Sequence, residues 1–150
     1  IIGAAELLSY TLSSLFITQS VAEWIATIGV NRWLLLAIIN VFLLVAGFFL
    51  PPVAVILMTA PILLPIILQA GFDPYWFAVV LTINMEIGLI TPPVGLNLYV
   101  IKGIVPDVGL PQILRGTIPF VLLMLLSIIL LCVFPEIATW LPERLMGVSG

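Results

Sequence analysis

A chain of 150 residues has the length of one ordinary soluble domain, but its composition excludes that class. Hydrophobic residues make up 63% of the chain and charged residues 7%, whereas a soluble domain carries about 25% charged residues. The chain has no histidine, one cysteine and a net charge of −3, which argues against a zinc site, a disulfide scaffold and nucleic-acid binding. The sequence therefore predicts an all-α integral membrane protein.

Long uncharged runs mark the membrane helices, since a helix needs about 20 apolar residues to cross the hydrocarbon core. The runs predict helices over 4–28, 33–49, 53–68, 75–105 with an interruption, and 112–134. The corresponding domains are a transmembrane or arm helix over 1–32, a helical hairpin over 33–68, a discontinuous transmembrane helix over 75–105, and a C-terminal transmembrane helix with its tail over 112–150. A first residue other than methionine suggests a fragment or a processed chain.

The turn within 33–68 is apolar throughout. Pro51 and Pro52 interrupt the helix, and the residues around them include none of the Asn, Asp or Ser that a surface turn normally contains. Each flanking helix is short for a full span. We interpret 33–68 as a re-entrant helical hairpin with its tip inside the membrane, and the alternative is two tilted spans joined by a tight apolar turn.

A second proline pair breaks 75–105 in the middle. Pro92 and Pro93 remove two backbone donors, so the carbonyls near 88 and 89 lose their helical partners. In hydrocarbon these carbonyls need protein, water or an ion, which favours a discontinuous helix over a simple kink. Both breaks carry a Pro-Pro-Val-small motif, which suggests that they face each other.

Polar groups converge on the second break. In a helix Asn84, Gly88 and Thr91 share one face, and their amide, carbonyl and hydroxyl oxygens suit a hard cation such as Na⁺. An interhelical hydrogen bond is an equally good interpretation of Asn84. Glu86 is an acid inside the membrane, which is either a proton or cation carrier or the partner of a basic residue in a neighbouring subunit.

Aromatic residues gather at one end of the predicted helices, as in the belt at a membrane interface. They are Trp24, Trp33, Tyr75, Trp76 and Trp140. Arg32 and Arg144 lie at this end and Lys102 and Arg115 at the other, so charge does not decide the orientation.

The stretch Gly88 to Val100, GLITPPVGLNLYV, resembles the large membrane subunit of TRAP transporters, the tripartite ATP-independent periplasmic transporters. Supporting likeness lies in AVILMTAPILLP at 54–65, in GFDP at 71–74 and in Leu141-Pro142, and it covers most of 40–146. The resemblance implies the C-terminal part of a longer subunit, one half of an inverted-repeat, elevator-type transporter.

The resemblance also implies a function. It is Na⁺-coupled import of organic acids, of the sialic acid or C4-dicarboxylate type, across the bacterial inner membrane. The implied partners are the rest of the large subunit, a small membrane subunit, a periplasmic substrate-binding protein that delivers the organic acid, and the lipid bilayer. The substrate itself is not defined by the sequence.

In the family one sodium site lies between the second hairpin and the second broken helix. Carried over to this sequence, its ligands are Gly47, Gly88, Thr91 and Val94. Residues that line the site or the substrate are Pro92, Pro93, Gly95, Asn97 and Asn84. Many relatives have an acidic or polar residue where Leu50-Pro51-Pro52 stands here, so this chain departs from the family at the hairpin tip.

Two other classes compete with a coupled transporter. One is a channel component or structural membrane subunit without a coupling site. The other is a membrane enzyme, which would need paired aspartates or a serine with a histidine. Asp73 and Asp107 fall at the membrane interfaces and histidine is absent, so we expect no enzyme and no catalytic residue.

Overall fold

The structure is a computed structural model that describes Leu7, Thr11 and residues 31–146. The predicted helix over 4–28 and Trp24 therefore lie outside the described residues, apart from Leu7 and Thr11. The described part contains six helices and no β-strand: α1 Arg32–Phe49, α2 Pro52–Gln69, α3 Pro74–Leu89, α4 Leu96–Ile104, α5 Leu110–Val133 and α6 Glu136–Met146. The expected all-helical fold is confirmed for these residues.

Side-chain caps define where two of the helices begin. The Asn31 side chain accepts a hydrogen bond from the backbone N–H of Trp33 at 3.0 Å, and Asp73 accepts one from the N–H of Trp76 at 2.9 Å. These bonds satisfy N–H groups that have no partner within the helix. Proline occupies the first turn of α2, α3 and α5, where a missing N–H costs nothing.

Three of the described helices, α1, α2 and α5, are long and apolar enough to cross a membrane. Their bounds agree with the predicted helices to within two residues. The two arms of the hairpin have 18 residues each, which is about 27 Å of helix against about 30 Å of hydrocarbon. Length therefore does not separate a re-entrant hairpin from two spans.

Helix α3 is the centre of the described fold, because it packs against each of the other five helices. Its buried side chains join those of α1 and α2 in one apolar core, whose fully buried members include Leu43, Val55, Ile67, Val80 and Met85. In contrast, α5 exposes most of its apolar side chains. The break that follows α3 is thus held by the best-packed helix.

The segment after α5 is a helix, whereas the sequence predicted a tail. Residues Glu136–Met146 form α6, which packs against α3 and the end of α5. Its sequence carries charges and Pro142, so it lacks the uncharged run that marked the other helices. Packing of one face against α3 stabilises it instead.

Trp76 lies at the aromatic end of the helices, as the sequence predicted, and its ring is turned into the core. Its side chain is 2% exposed, and its indole N–H donates to the carbonyl of Leu131 at 2.7 Å. The helical donor for that carbonyl would come from residue 135, which is proline and has no N–H. Trp76 therefore supplies the hydrogen bond that Pro135 cannot.

Candidate functional site

The predicted discontinuity is confirmed, since α3 ends at Leu89 and α4 begins at Leu96. The peptide bond between Pro92 and Pro93 is cis. Gly95 has a φ of 54°, and a Cβ there would lie 2.6 Å from Leu98 and 3.0 Å from the carbonyl oxygen of Thr91. Only glycine combines this left-handed backbone with so close an approach.

In both breaks a proline pair leaves backbone carbonyls without their helical donors. Pro51-Pro52 follows Gly47 by four and five residues, and Pro92-Pro93 follows Gly88 by the same spacing. Because proline has no N–H, the carbonyls of each glycine and of the residue after it have no α-helical donor. Within the described residues the carbonyls of Gly47, Phe48 and Leu89 are therefore available to another partner. That of Gly88 accepts a long hydrogen bond from the N–H of Thr91.

The two glycines lie in direct contact, so the breaks face each other as the shared motif suggested. A Cβ added to Gly88 would lie 2.7 Å from the carbonyl carbon of Gly47 and 2.8 Å from its oxygen. A Cβ added to Gly47 would lie 3.6 Å from the Cα of Gly88, which is an ordinary contact. The approach of α1 to α3 therefore depends on Gly88 having no side chain.

The Thr91 hydroxyl is a buried polar group without a partner. Its Oγ1 atom is inaccessible and forms no hydrogen bond within the described residues. The N–H of Thr91 makes only a long contact of 3.5 Å with the Gly88 carbonyl. An orphaned hydroxyl three residues after the Gly88 carbonyl adds an oxygen of the kind that a hard cation prefers, so the residue types at the break fit Na⁺.

Asn84 lies one helical turn before Gly88 and is fully buried. Its amide donates to the side-chain oxygen of Asn40 on α1 and, at 3.1 Å, to the carbonyl of Val80. The interhelical hydrogen bond that was one interpretation of Asn84 is thus present, while its Oδ1 has no partner within the described part of the chain.

Sequence reasoning missed Asn40. A signal was available, because Asn40 is a polar residue in the middle of an uncharged run and precedes Gly47 by seven residues, which places both on one helix face. The pairs Asn40–Asn84 and Gly47–Gly88 follow one another in the same direction along both helices, so α1 and α3 run parallel.

The other predicted residues lie around the break without such contacts. Val94 is half-buried in the turn, Pro92 and Pro93 are exposed, and half-buried Asn97 forms no hydrogen bond within the described residues. On the α5 side, a largely apolar cavity of about 270 Å³ is lined by Thr91, Pro92 and residues of the first half of α5.

Glu86 does not point into this site. Its side chain is exposed on α3 and forms no ion pair within the described residues. Those residues also contain no group of three His, Cys, Asp or Glu side chains able to hold a metal ion. The described residues therefore offer a cation at the breaks neutral oxygens.

These features define a helical membrane protein with two facing proline breaks. A family model described as the tripartite ATP-independent periplasmic transporter, DctM component, matches residues 1–137. The chain belongs to this family, which confirms the resemblance found in the sequence. The family is one of membrane transporters rather than enzymes, as expected.

Several curated relatives are similar over nearly the whole chain. The C4-dicarboxylate TRAP transporter large permease proteins DctM of Pseudomonas aeruginosa and Rhodobacter capsulatus are 40% and 39% identical over 99% and 97% of the chain. The sialic acid TRAP transporter large permease protein SiaM of Vibrio cholerae is 36% identical over 86% of it. The chain spans 34%, 33% and 30% of these three relatives.

Proposed function

We propose that this chain is part of a Na⁺-coupled secondary transporter that imports an organic acid delivered by a periplasmic substrate-binding protein. The membership of the family supports a secondary transporter of the TRAP type. Relatives named for C4-dicarboxylate and for sialic acid both support a carboxylate substrate. Because the chain spans about a third of those relatives, it supplies one part of the transport machinery.

The observation that carries the sodium proposal is the buried Thr91 hydroxyl, which has no partner within the described residues and follows Gly88, the glycine in contact with Gly47. In this proposal Thr91 supplies its hydroxyl, and the two glycines and Val94 supply carbonyls. Burial makes an unpartnered hydroxyl costly, so a cation that fills this position stabilises the broken state of both helices.

We further propose that the hairpin over 33–68 is re-entrant and moves together with 75–105 as the transport domain of an elevator. The Asn40–Asn84 hydrogen bond and the Gly47–Gly88 contact support this proposal, because they join α1 to α3 at two positions along the helices. In this proposal the helix ends at the two breaks move across the membrane together with the bound ion. The segment over 112–150 moves with α3.

The proposed partners are the rest of the large subunit, the small membrane subunit and the periplasmic binding protein, in the bacterial inner membrane. The exposed apolar surface of α5 supports such an assembly, since it needs either lipid or another membrane helix as its neighbour. The competing function is a structural subunit or channel component that holds no coupling ion.

Sodium-dependent uptake by the complete transporter tests the proposal. Thr91→Val keeps the shape and removes the hydroxyl, whereas Thr91→Ser keeps the oxygen. We expect Val to raise the Na⁺ concentration for half-maximal uptake about 5- to 150-fold, the effect of losing about 1–3 kcal/mol, and Ser to stay near wild type.

Thr82→Val is the matched control. Thr82 lies on α3, which precedes Thr91, is exposed and donates to the carbonyl of Ala78 at 2.8 Å. With all three variants expressed equally, an unchanged sodium dependence in Thr91→Val would contradict the site. Uptake that never depends on Na⁺ in the wild type would favour the structural subunit or channel component.

A further inference from the structure

A second cavity, of about 470 Å³, lies at the opposite end of α3 from the break. It forms where the start of α1, the turn before α3, the end of α5 and helix α6 meet. This is the end at which aromatic residues indicated the membrane interface, and its volume is within the range of about 300–1,000 Å³ typical of ligand sites.

One side of this interfacial cavity carries a cation with free donors. The Cζ atom of the Arg32 guanidinium lies 5.3 Å from the ring centroid of Trp33 and 5.8 Å from that of Phe72, within cation–π distance of both. It forms no ion pair within the described residues. Cation–π contacts hold the guanidinium at the cavity and leave its N–H groups for an anion such as phosphate.

The other side carries two carboxylates on α6. Glu136, Thr139 and Glu143 are spaced at i, i+3 and i+7, so one stripe of the helix faces the cavity. Neither glutamate has a cationic partner within the described part of the chain. Asp73 also lines the cavity, but its carboxylate already caps α3.

Thr139 gives an independent indication that this cavity takes a ligand. It is only 8% exposed, lines the cavity and forms no hydrogen bond within the described residues. Other helical threonines, Thr59 and Thr82, donate to the carbonyl one turn earlier. The Thr139 hydroxyl makes no such bond although the side chain is largely buried, so it is available to a ligand in the cavity.

We propose that this interfacial cavity binds a phosphoethanolamine group, the headgroup of a zwitterionic phospholipid. Arg32 takes the phosphodiester, Glu136 and Glu143 take the ammonium, and the Thr139 hydroxyl completes the polar contacts between them. Two opposite charges within one molecule match the separated charges of the cavity. This proposal does not depend on the sodium site or on the substrate.

Native mass spectrometry of the full-length permease tests it, after delipidation and titration with phosphatidylethanolamine or phosphatidylglycerol. We expect the ethanolamine lipid to bind about fivefold more tightly, because only its headgroup has an ammonium for the glutamates. Glu143→Gln should reduce this preference, whereas Arg32→Gln should weaken both lipids alike. Thr139→Val should weaken the ethanolamine lipid without changing the fold.

Matched controls are Arg144→Gln and Glu86→Gln, which remove charges that do not line the cavity. Soluble phosphoethanolamine tests whether the cavity prefers a lipid headgroup to the free compound. We expect it to compete only weakly with the ethanolamine lipid, because it has no acyl chains. Equal binding of the two lipids, or wild-type binding in a folded Glu143→Gln variant, would overturn the proposal. If Arg32→Gln fails to fold, the Glu143 and Thr139 variants still decide.

Discussion

The indole N–H of Trp76 donates to the backbone carbonyl of Leu131 across 55 residues of sequence, at 2.7 Å. The regular donor for that carbonyl is missing because residue 135 is proline. The ring itself stacks on Phe72 with centroids 5.2 Å apart. One buried side chain therefore joins the start of α3 to the end of α5 and closes one wall of the interfacial cavity.

Removing the Trp76 donor should lower the free energy of unfolding, and the size of this loss should depend on Pro135. Trp76→Phe keeps an aromatic ring but leaves the Leu131 carbonyl without a donor, so we expect a loss of about 1 kcal/mol or more in the free energy of unfolding. In a Pro135→Ala background the new backbone N–H is available to that carbonyl, and the same substitution should cost less. Denaturant unfolding of the detergent-purified protein measures both.

The control for this cycle is Trp140→Phe, because Trp140 is exposed and its indole makes no hydrogen bond within the described residues. Its loss should change the unfolding free energy little. Equal costs of Trp76→Phe with and without Pro135 would show that the ring acts by packing alone.

Local signals were sufficient to predict most of the helices. Uncharged runs located α1, α2 and α5. The two proline pairs located both breaks, because each proline leaves the carbonyl four residues earlier without its helical donor. A shared motif suggested that the two breaks face each other. The helices and the breaks themselves are readable within a window of about one turn or one span.

Features that depend on distant contacts were not predictable. Asn40 stands out as a polar residue in an uncharged run, but no local pattern pairs it with Asn84, 44 residues away. An aromatic belt does not tell which ring turns inward, so no signal in the sequence indicated that Trp76 is buried. Helix α6 lacks an apolar run and exists through its packing on α3, which the sequence of the segment alone does not contain.

The two contacting glycines should respond differently to alanine. Gly88→Ala places a methyl group 2.7 Å from the Gly47 carbonyl carbon, so we expect overpacking to cost about 1–3 kcal/mol and to abolish transport. Gly47→Ala meets its neighbours at 3.5 Å or more and should be tolerated. Thermal stability and uptake of both variants, beside Gly116→Ala in open space, measure the difference.

The difference between Gly88→Ala and Gly47→Ala is the critical part of that result. If Gly47→Ala is as damaging as Gly88→Ala, the α1 to α3 contact does not have the geometry described. If neither variant affects stability or uptake, the close approach of the two breaks is not required.

The Asn40–Asn84 pair should show a measurable coupling energy. In membrane proteins interhelical hydrogen bonds contribute about 0.6 kcal/mol on average and up to about 1.7 kcal/mol. We expect a double-mutant cycle of Asn40→Ala and Asn84→Ala to give a coupling in this range, since each single variant leaves the other amide buried. Additive losses of unfolding free energy would show that the two amides do not interact.

The apolar turn between α1 and α2 provides the last test, because a re-entrant tip and an exposed loop differ in their access to water. Single cysteines from Phe49 to Val53, in a Cys132→Ala background, should react slowly with bulky membrane-impermeant thiol reagents added from either side. A cysteine at Asp107, in the connection between α4 and α5, is the reactive control, since it lies in an exposed turn. Addition of Na⁺ should slow labelling of the tip further if the ion draws α1 and α3 together. Rapid labelling at all five tip positions, independent of Na⁺ and of substrate, would show instead that α1 and α2 are two full spans joined by an exposed loop.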